Sequence, residues 1–179
     1  AFQRGAFTLS AGGDNTSTTV AGVLSGTGNL VKQGSGTLTL AGTNTYSGTT
    51  TVSAGTLSVA SDSNLGSNTV TLAAGSTLEI AGATTIDNAI SLSGDATVSN
   101  LADATLSGII SGANTLTKAG ASTLTLSNTN TYAGTTISAG TLSVAGDNNL
   151  GSGTVTLASG STLAVTGATN IDNTIALTG

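Results

Sequence analysis

The sequence predicts an all-β fold, a parallel β-solenoid with coils of about 20 residues, on three observations. The chain repeats itself internally, short segments alternate apolar with polar residues, and inward-facing apolar residues recur at steps of 19, 21 and 20. The composition agrees: 37% of residues are hydrophobic, 6% are charged and 2% are aromatic, which suits a narrow interior filled by small side chains. A disordered chain would instead avoid apolar residues and carry much charge.

The internal repeat is the first of these observations. The segment 37–46 recurs at 123–132 with an offset of 86 residues, and the segment 53–59 recurs at 138–144 with an offset of 85. The two copies extend approximately over 18–92 and 104–177. We therefore predict a single β-solenoid over 1–179 that consists of nearly two copies of one unit.

Within each copy, Thr-Leu-Thr-Leu segments predict short strands with one apolar face, because side chains alternate sides along a strand. The predicted inward ladders are Leu38, Leu57, Leu78 and Val98, and, interleaved with them, Val52, Leu72 and Leu92. Clusters of Gly, Asn and Ser supply the turns. The apolar residues of 104–126 are crowded more closely than one coil step, so their register stays unassigned. An antiparallel sandwich is the competing fold, but it leaves the internal repeat unexplained.

The segments 26–50 and 54–57 resemble the autotransporter-associated β-strand repeat of bacterial type V secretion passengers. They combine an L-x-K-x-G-x-G-T-L-T-L core, an N-T-Y-S-G-T-T turn and an A-G-T-L strand in that order. The second copy departs from this pattern with Ser122 in place of Gly36 and Asn128 in place of Gly42. The resemblance implies a right-handed β-helix, secreted or displayed on the surface of a Gram-negative bacterium. Such repeats act as the shaft of adhesins and biofilm proteins, and the resemblance implies no activity.

Missing residue types limit the chemistry. The chain contains no His and no Cys, so a base that titrates near neutrality and a thiolate nucleophile are absent. We expect no enzyme, no catalytic residue, no cofactor and no metal. Three Lys and Arg against eight Asp and Glu argue against nucleic-acid binding. No apolar run is long enough to cross a bilayer, and we expect any export signal to lie outside this segment.

Four aspartates match between the copies, Asp62 with Asp147 and Asp87 with Asp172. Their repetition is compatible with calcium sites, but calcium requires about six to eight oxygen ligands and these carboxylates are isolated in the sequence. Asp also stabilises turns by accepting hydrogen bonds from nearby backbone amides. We therefore favour turn residues.

The matched pairs Lys32 with Lys118 and Tyr46 with Tyr132 are the other candidates. The lysines are compatible with binding an anionic polymer, but we favour solvated residues that interrupt self-association. The tyrosines are compatible with stacking on a sugar, but we favour turn covers whose hydroxyl groups stay in water.

Two functions from different classes are compatible with this sequence, the shaft of a surface adhesin and a filament or surface-layer subunit that stacks end to end. The partner is then either a continuation of the chain or a second copy, contacted through Phe7, Leu9, Ile175 and Leu177. A minor alternative is ice binding by outward threonine ladders.

Overall fold

The computed structural model describes residues 7–179, which form 22 short β-strands and no α-helix. The strands are β1 (Thr8–Ala11), β2 (Thr18–Val20), β3 (Ser25–Gly26), β4 (Asn29–Lys32), β5 (Thr37–Leu40), β6 (Thr45–Tyr46), β7 (Thr50–Val52), β8 (Thr56–Val59), β9 (Val70–Leu72), β10 (Thr77–Ile80), β11 (Thr84–Ile86), β12 (Ile90–Leu92), β13 (Ala96–Asn100), β14 (Ala104–Leu106), β15 (Ile110–Ser111), β16 (Thr115–Ala119), β17 (Thr123–Leu126), β18 (Gly134–Ile137), β19 (Thr141–Val144), β20 (Val155–Ala158), β21 (Thr162–Val165) and β22 (Ile175–Thr178). Two 3-10 turns, Asp62–Asn64 and Asp147–Asn149, complete the elements.

The strands stack into three faces of a β-solenoid with about nine turns. Face A is the six-stranded sheet β1-β4-β7-β9-β12-β15, and face B is the nine-stranded sheet β2-β5-β8-β10-β13-β16-β18-β20-β22. Face C comprises the pair β3-β6 and the five-stranded sheet β11-β14-β17-β19-β21. Each coil passes through faces A, B and C in turn, and at the usual strand spacing the stack is about 40 Å long. Every strand pairing within the described residues is parallel, so the antiparallel sandwich is wrong.

The predicted ladders are confirmed. Leu38, Leu57, Leu78 and Val98 are paired in register on face B, and all four are fully buried. The ladder Val52, Leu72 and Leu92 lies on face A with the same register. Aliphatic ladders of this kind fill the interior without large aromatic rings, because each side chain packs against its counterparts in the coils on either side.

The segment 104–126 has a regular register that the sequence analysis did not assign. It forms one full coil, with β14 on face C, β15 on face A, β16 on face B and β17 on face C again. Leu106, Ile110, Leu116 and Leu124 are buried, whereas Ile109 points outward and is 49% exposed. The apolar residues are crowded in sequence because three faces, and not one, contribute inward side chains to every coil.

Equivalent strands of the two copies lie on different faces of the solenoid. Strand β4 is on face A and its counterpart β16 is on face B, while β5 is on face B and its counterpart β17 is on face C. The offset of 86 residues thus corresponds to about four and one-third coils of 20 residues. The second copy is therefore rotated by one third of a turn relative to the first.

Candidate functional site

Lys32 lies at the inward end of β4, in the face A ladder between Ala11 and Val52, and its side chain is fully buried. Its ammonium donates hydrogen bonds to the carbonyl oxygens of Gln33 at 2.6 Å, Gly34 at 2.7 Å and Ala54 at 3.1 Å. Burial lowers the pKa of this amine, while the three carbonyl dipoles offset part of the cost of burying its charge. Lys32 thus joins two successive coils at a corner of the solenoid.

Lys118 forms the same clip on face B, between Val98 and Ile137. Its ammonium donates to the carbonyl oxygens of Ala119 at 2.9 Å, Gly120 at 2.7 Å and Ala139 at 3.1 Å. Burial lowers the pKa of this amine as well.

The expectation that both lysines are solvated is wrong, and neither presents its charge to an anionic polymer. The signal was present in the sequence, because Leu30-x-Lys32 and Leu116-x-Lys118 place each lysine on the same side of its strand as a core leucine. The turn after each lysine contains a glycine with a left-handed backbone, Gly34 at φ 66° and Gly120 at φ 84°. This turn aims its carbonyl oxygens at the ammonium.

The two tyrosines also lie inside the solenoid, so both the sugar-stacking interpretation and the wet turn cover are wrong. Tyr46 is 3% exposed and Tyr132 is fully buried. Their hydroxyl groups share hydrogen bonds with the Oγ1 atoms of Thr50 at 2.6 Å and Thr135 at 2.9 Å. Burial raises the pKa of Tyr132.

A glycine in the next coil makes room for each tyrosine ring. A Cβ atom at Gly66 would lie 2.5 Å from the ring of Tyr46, and one at Gly151 would lie 2.7 Å from the ring of Tyr132. Real Cβ atoms do not approach other atoms this closely, so each tyrosine and its glycine are complementary parts of one core layer.

The matched aspartates lie in turns and hold other turns in place. Asp62 and Asp147 each open a 3-10 turn. The Oδ1 atom of Asp62 accepts a hydrogen bond from the backbone N–H of Asp87 at 3.0 Å, and Asp147 accepts one from Asp172 at 3.1 Å. Among residues 7–179 the structure brings together no group of three or more His, Cys, Asp or Glu that could hold a metal ion.

Buried asparagines that the sequence analysis did not identify connect successive coils. Asn88 donates from Nδ2 to the carbonyl oxygens of Gly66 at 2.6 Å and Asn68 at 2.7 Å. Further members of this set are Asn44, Asn64, Asn130 and Asn149. Asparagine is a common turn residue, so its type alone does not distinguish an inward amide from a solvated one.

One outward row of threonines runs along face B. Seven successive coils contribute to it, and all seven side chains are half-buried: Thr37, Thr56, Thr77, Thr97, Thr117, Thr136 and Thr156. The adjacent outward row is mixed and contains Ser58, Glu79, Ser99 and Ala119. The threonines therefore form a single file and not the two-dimensional array that would present a flat surface to a crystal lattice.

The largest apolar concavity lies on the first coil. It has a volume of about 360 Å³ and is lined by Phe7, Leu9, Leu24, Leu30 and Tyr46 together with the backbone of 25–29. Elsewhere in the structure, none of the helical segments has the length and apolar character needed to cross a membrane.

Fold and interior together define a class of protein, a parallel β-solenoid whose repeated polar residues serve its own core. Within that class, the family model described as passenger-associated-transport-repeat matches the chain twice, at residues 30–59 and 116–144. The chain is an autotransporter passenger repeat region, as the resemblance implied. Passenger repeats of this kind belong to secreted or cell-surface proteins. Comparisons with curated proteins and with solved structures found no match.

Proposed function

We propose that this segment is the shaft of an adhesin-type autotransporter passenger on the surface of a Gram-negative bacterium. The observation that supports this proposal most directly is the unbroken stack on face B, in which nine strands follow one another in register. The repeated lysines, tyrosines and aspartates are engaged in contacts with neighbouring coils. Residues of this kind stabilise length, and they leave binding to other parts of a passenger.

The rotation between the copies allows a sharp test of the shaft role. Deleting residues 22–107 removes one unit of 86 residues and joins Ala21 directly to Gly108, the counterpart of Gly22. The remaining strands can restack with their ladders matched, because the deletion equals about four and one-third coils. The shortened segment should be about 20 Å shorter and should still fold cooperatively.

The measurement uses the passenger on the cell surface with an epitope at its outer end. The deletion should bring this epitope closer to the outer membrane, as measured by fluorescence energy transfer to a membrane dye, without reducing its surface exposure. A control deletion of residues 22–97 leaves the faces out of register and should abolish folded display. If the isolated 179-residue chain itself adheres to cells, the segment is a binding module and the shaft proposal fails.

A further inference from the structure

The apolar groove on the first coil exists because one interior position there has no side chain. Gly26 is paired with Tyr46 on face C and has a left-handed backbone with φ 101°. A Cβ atom built on Gly26 would meet nothing within 4 Å. The ring of Tyr46 therefore forms the floor of the groove, and Leu24 and Leu30 form part of its wall.

The second copy contains the same local structure. The backbone N–H of Leu24 donates to Asn44 Oδ1 at 2.7 Å, and that of Ile110 donates to Asn130 Oδ1 at 2.8 Å. Each of these residues also accepts, through its carbonyl oxygen, a hydrogen bond of 2.8 Å from the residue that precedes the tyrosine. Gly112 is the counterpart of Gly26 and has a left-handed backbone too, with φ 119°.

In the second copy this place is covered by strand β12. Ile90 pairs with Ile110, and its N–H donates to the carbonyl oxygen of Ile109 at 2.9 Å. A Cβ atom on Gly112 would collide with the carbonyl oxygen of Leu92. The chain itself thus shows what fits on this kind of surface, namely a parallel strand with isoleucine and leucine in alternate positions.

The repeat supplies a second strand with that sequence pattern. Ile175, Ala176 and Leu177 of β22 correspond to Ile90, Ser91 and Leu92 of β12 at an offset of 85 residues. Whereas Leu92 is 2% exposed, Leu177 is 79% exposed and Ile175 is 43% exposed. The counterpart of the covering strand is therefore open to an additional partner strand at the far end of the rod.

We propose that β22 of one copy pairs in parallel with residues 24–26 of a second copy and places Leu177 in the groove above Gly26 and Tyr46. The N–H of Ile175 would donate to the carbonyl oxygen of Val23 in the second copy, as Ile90 donates to Ile109 within the chain. The partner is another copy of this chain, rotated by one third of a turn about the common axis. This interface goes beyond the shaft role and does not depend on it.

The test blocks the two ends separately in the 179-residue chain. Leu177→Lys blocks the inserting strand and Leu24→Lys blocks the groove, because each places an ammonium in an apolar contact. Each variant alone should remain monomeric in sedimentation velocity at concentrations where the wild type forms chains. A mixture of the two should form dimers and nothing longer, since one wild-type strand and one wild-type groove remain. Thr71→Lys, on an outward position of face A, is the matched control and should assemble like the wild type.

Three outcomes would overturn the proposal. The first is a wild type that stays monomeric at high concentration, and the second is a mixture of variants that does not dimerise although both variants have wild-type circular dichroism. The third is a chain beginning at residue 7 that assembles when the full chain does not, because the chain's own first residues would then cover the groove. Since the deletion of 22–107 tests length on the cell surface, the shaft proposal can survive each of these results.

Discussion

The late coils of the two copies contain nearly the same residues but differ strongly in burial. Leu78 is fully buried, whereas its counterpart Leu163 is half-buried, and Ile80 is fully buried, whereas its counterpart Val165 is 41% exposed. The first copy has further coils stacked on both sides, and the second copy is followed by β22 alone on face B. Burial in this fold is thus determined by the neighbouring coil more than by residue type, as expected for a nearly one-dimensional structure.

Alanine substitutions at the two leucines should show the largest effect of this difference. Leu78→Ala leaves a cavity between β8 and β13 and should lower the free energy of unfolding by about 2–5 kcal/mol. Leu163→Ala removes a side chain that solvent already reaches, so its loss should be clearly smaller. Urea unfolding monitored by circular dichroism measures both. Equal losses at the two positions would show that stability is shared along the whole rod and is not local to each coil.

The lysine clips should show an intermediate effect. Lys118→Met keeps the length of the side chain but leaves the carbonyl oxygens of Ala119, Gly120 and Ala139 without this donor. The expected loss is about 1–3 kcal/mol for buried acceptors that lose their partner. Lys32→Met provides the comparison on face A, and an unchanged unfolding midpoint in both variants would contradict the role assigned to the clips.

The same variant gives a pH test with a defined sign. Because burial lowers the pKa of Lys118 below its usual value of 10.5, the unfolded chain binds more protons than the native one between the lowered pKa and 10.5. This term makes the native state more stable as pH rises through that window. The raised pKa of Tyr132 acts in the opposite direction at higher pH, but it is present in both proteins. The stability of the wild type relative to Lys118→Met should therefore increase with pH in urea titrations, and a decrease would contradict the assignment.

Chelation should have the smallest effect of all. Asp62 and Asp147 accept hydrogen bonds from backbone amides, and their carboxylates need no metal ion to stabilise the turns. Thermal unfolding should have the same midpoint with EDTA and with added calcium. A midpoint that rises with calcium would instead reveal a bound ion, because a ligand that binds only the native state stabilises it.

The solenoid and its two aliphatic ladders could be predicted from the sequence, because strand alternation and coil spacing leave one arrangement for Leu38, Leu57 and Leu78. The environments of Lys32 and Tyr46 could not be predicted from residue type, since a charge or a hydroxyl group usually faces water. Only their position in the alternation indicated the interior, and the carbonyl cage and the complementary Gly66 depend on turns in the adjacent coils. The rotation of the copies required the coil length as well as the repeat length.

The unit of four and one-third coils relates successive copies by a screw operation with threefold symmetry. Three units would make thirteen coils, and a given motif would return to its original side after about 60 Å at the usual strand spacing. Any residue repeated in every unit would therefore trace a spiral along the rod and would not form a straight stripe. A second rod lying alongside would meet the same motif once in three units, so gene duplication in this repeat lengthens the molecule without building a continuous adhesive edge.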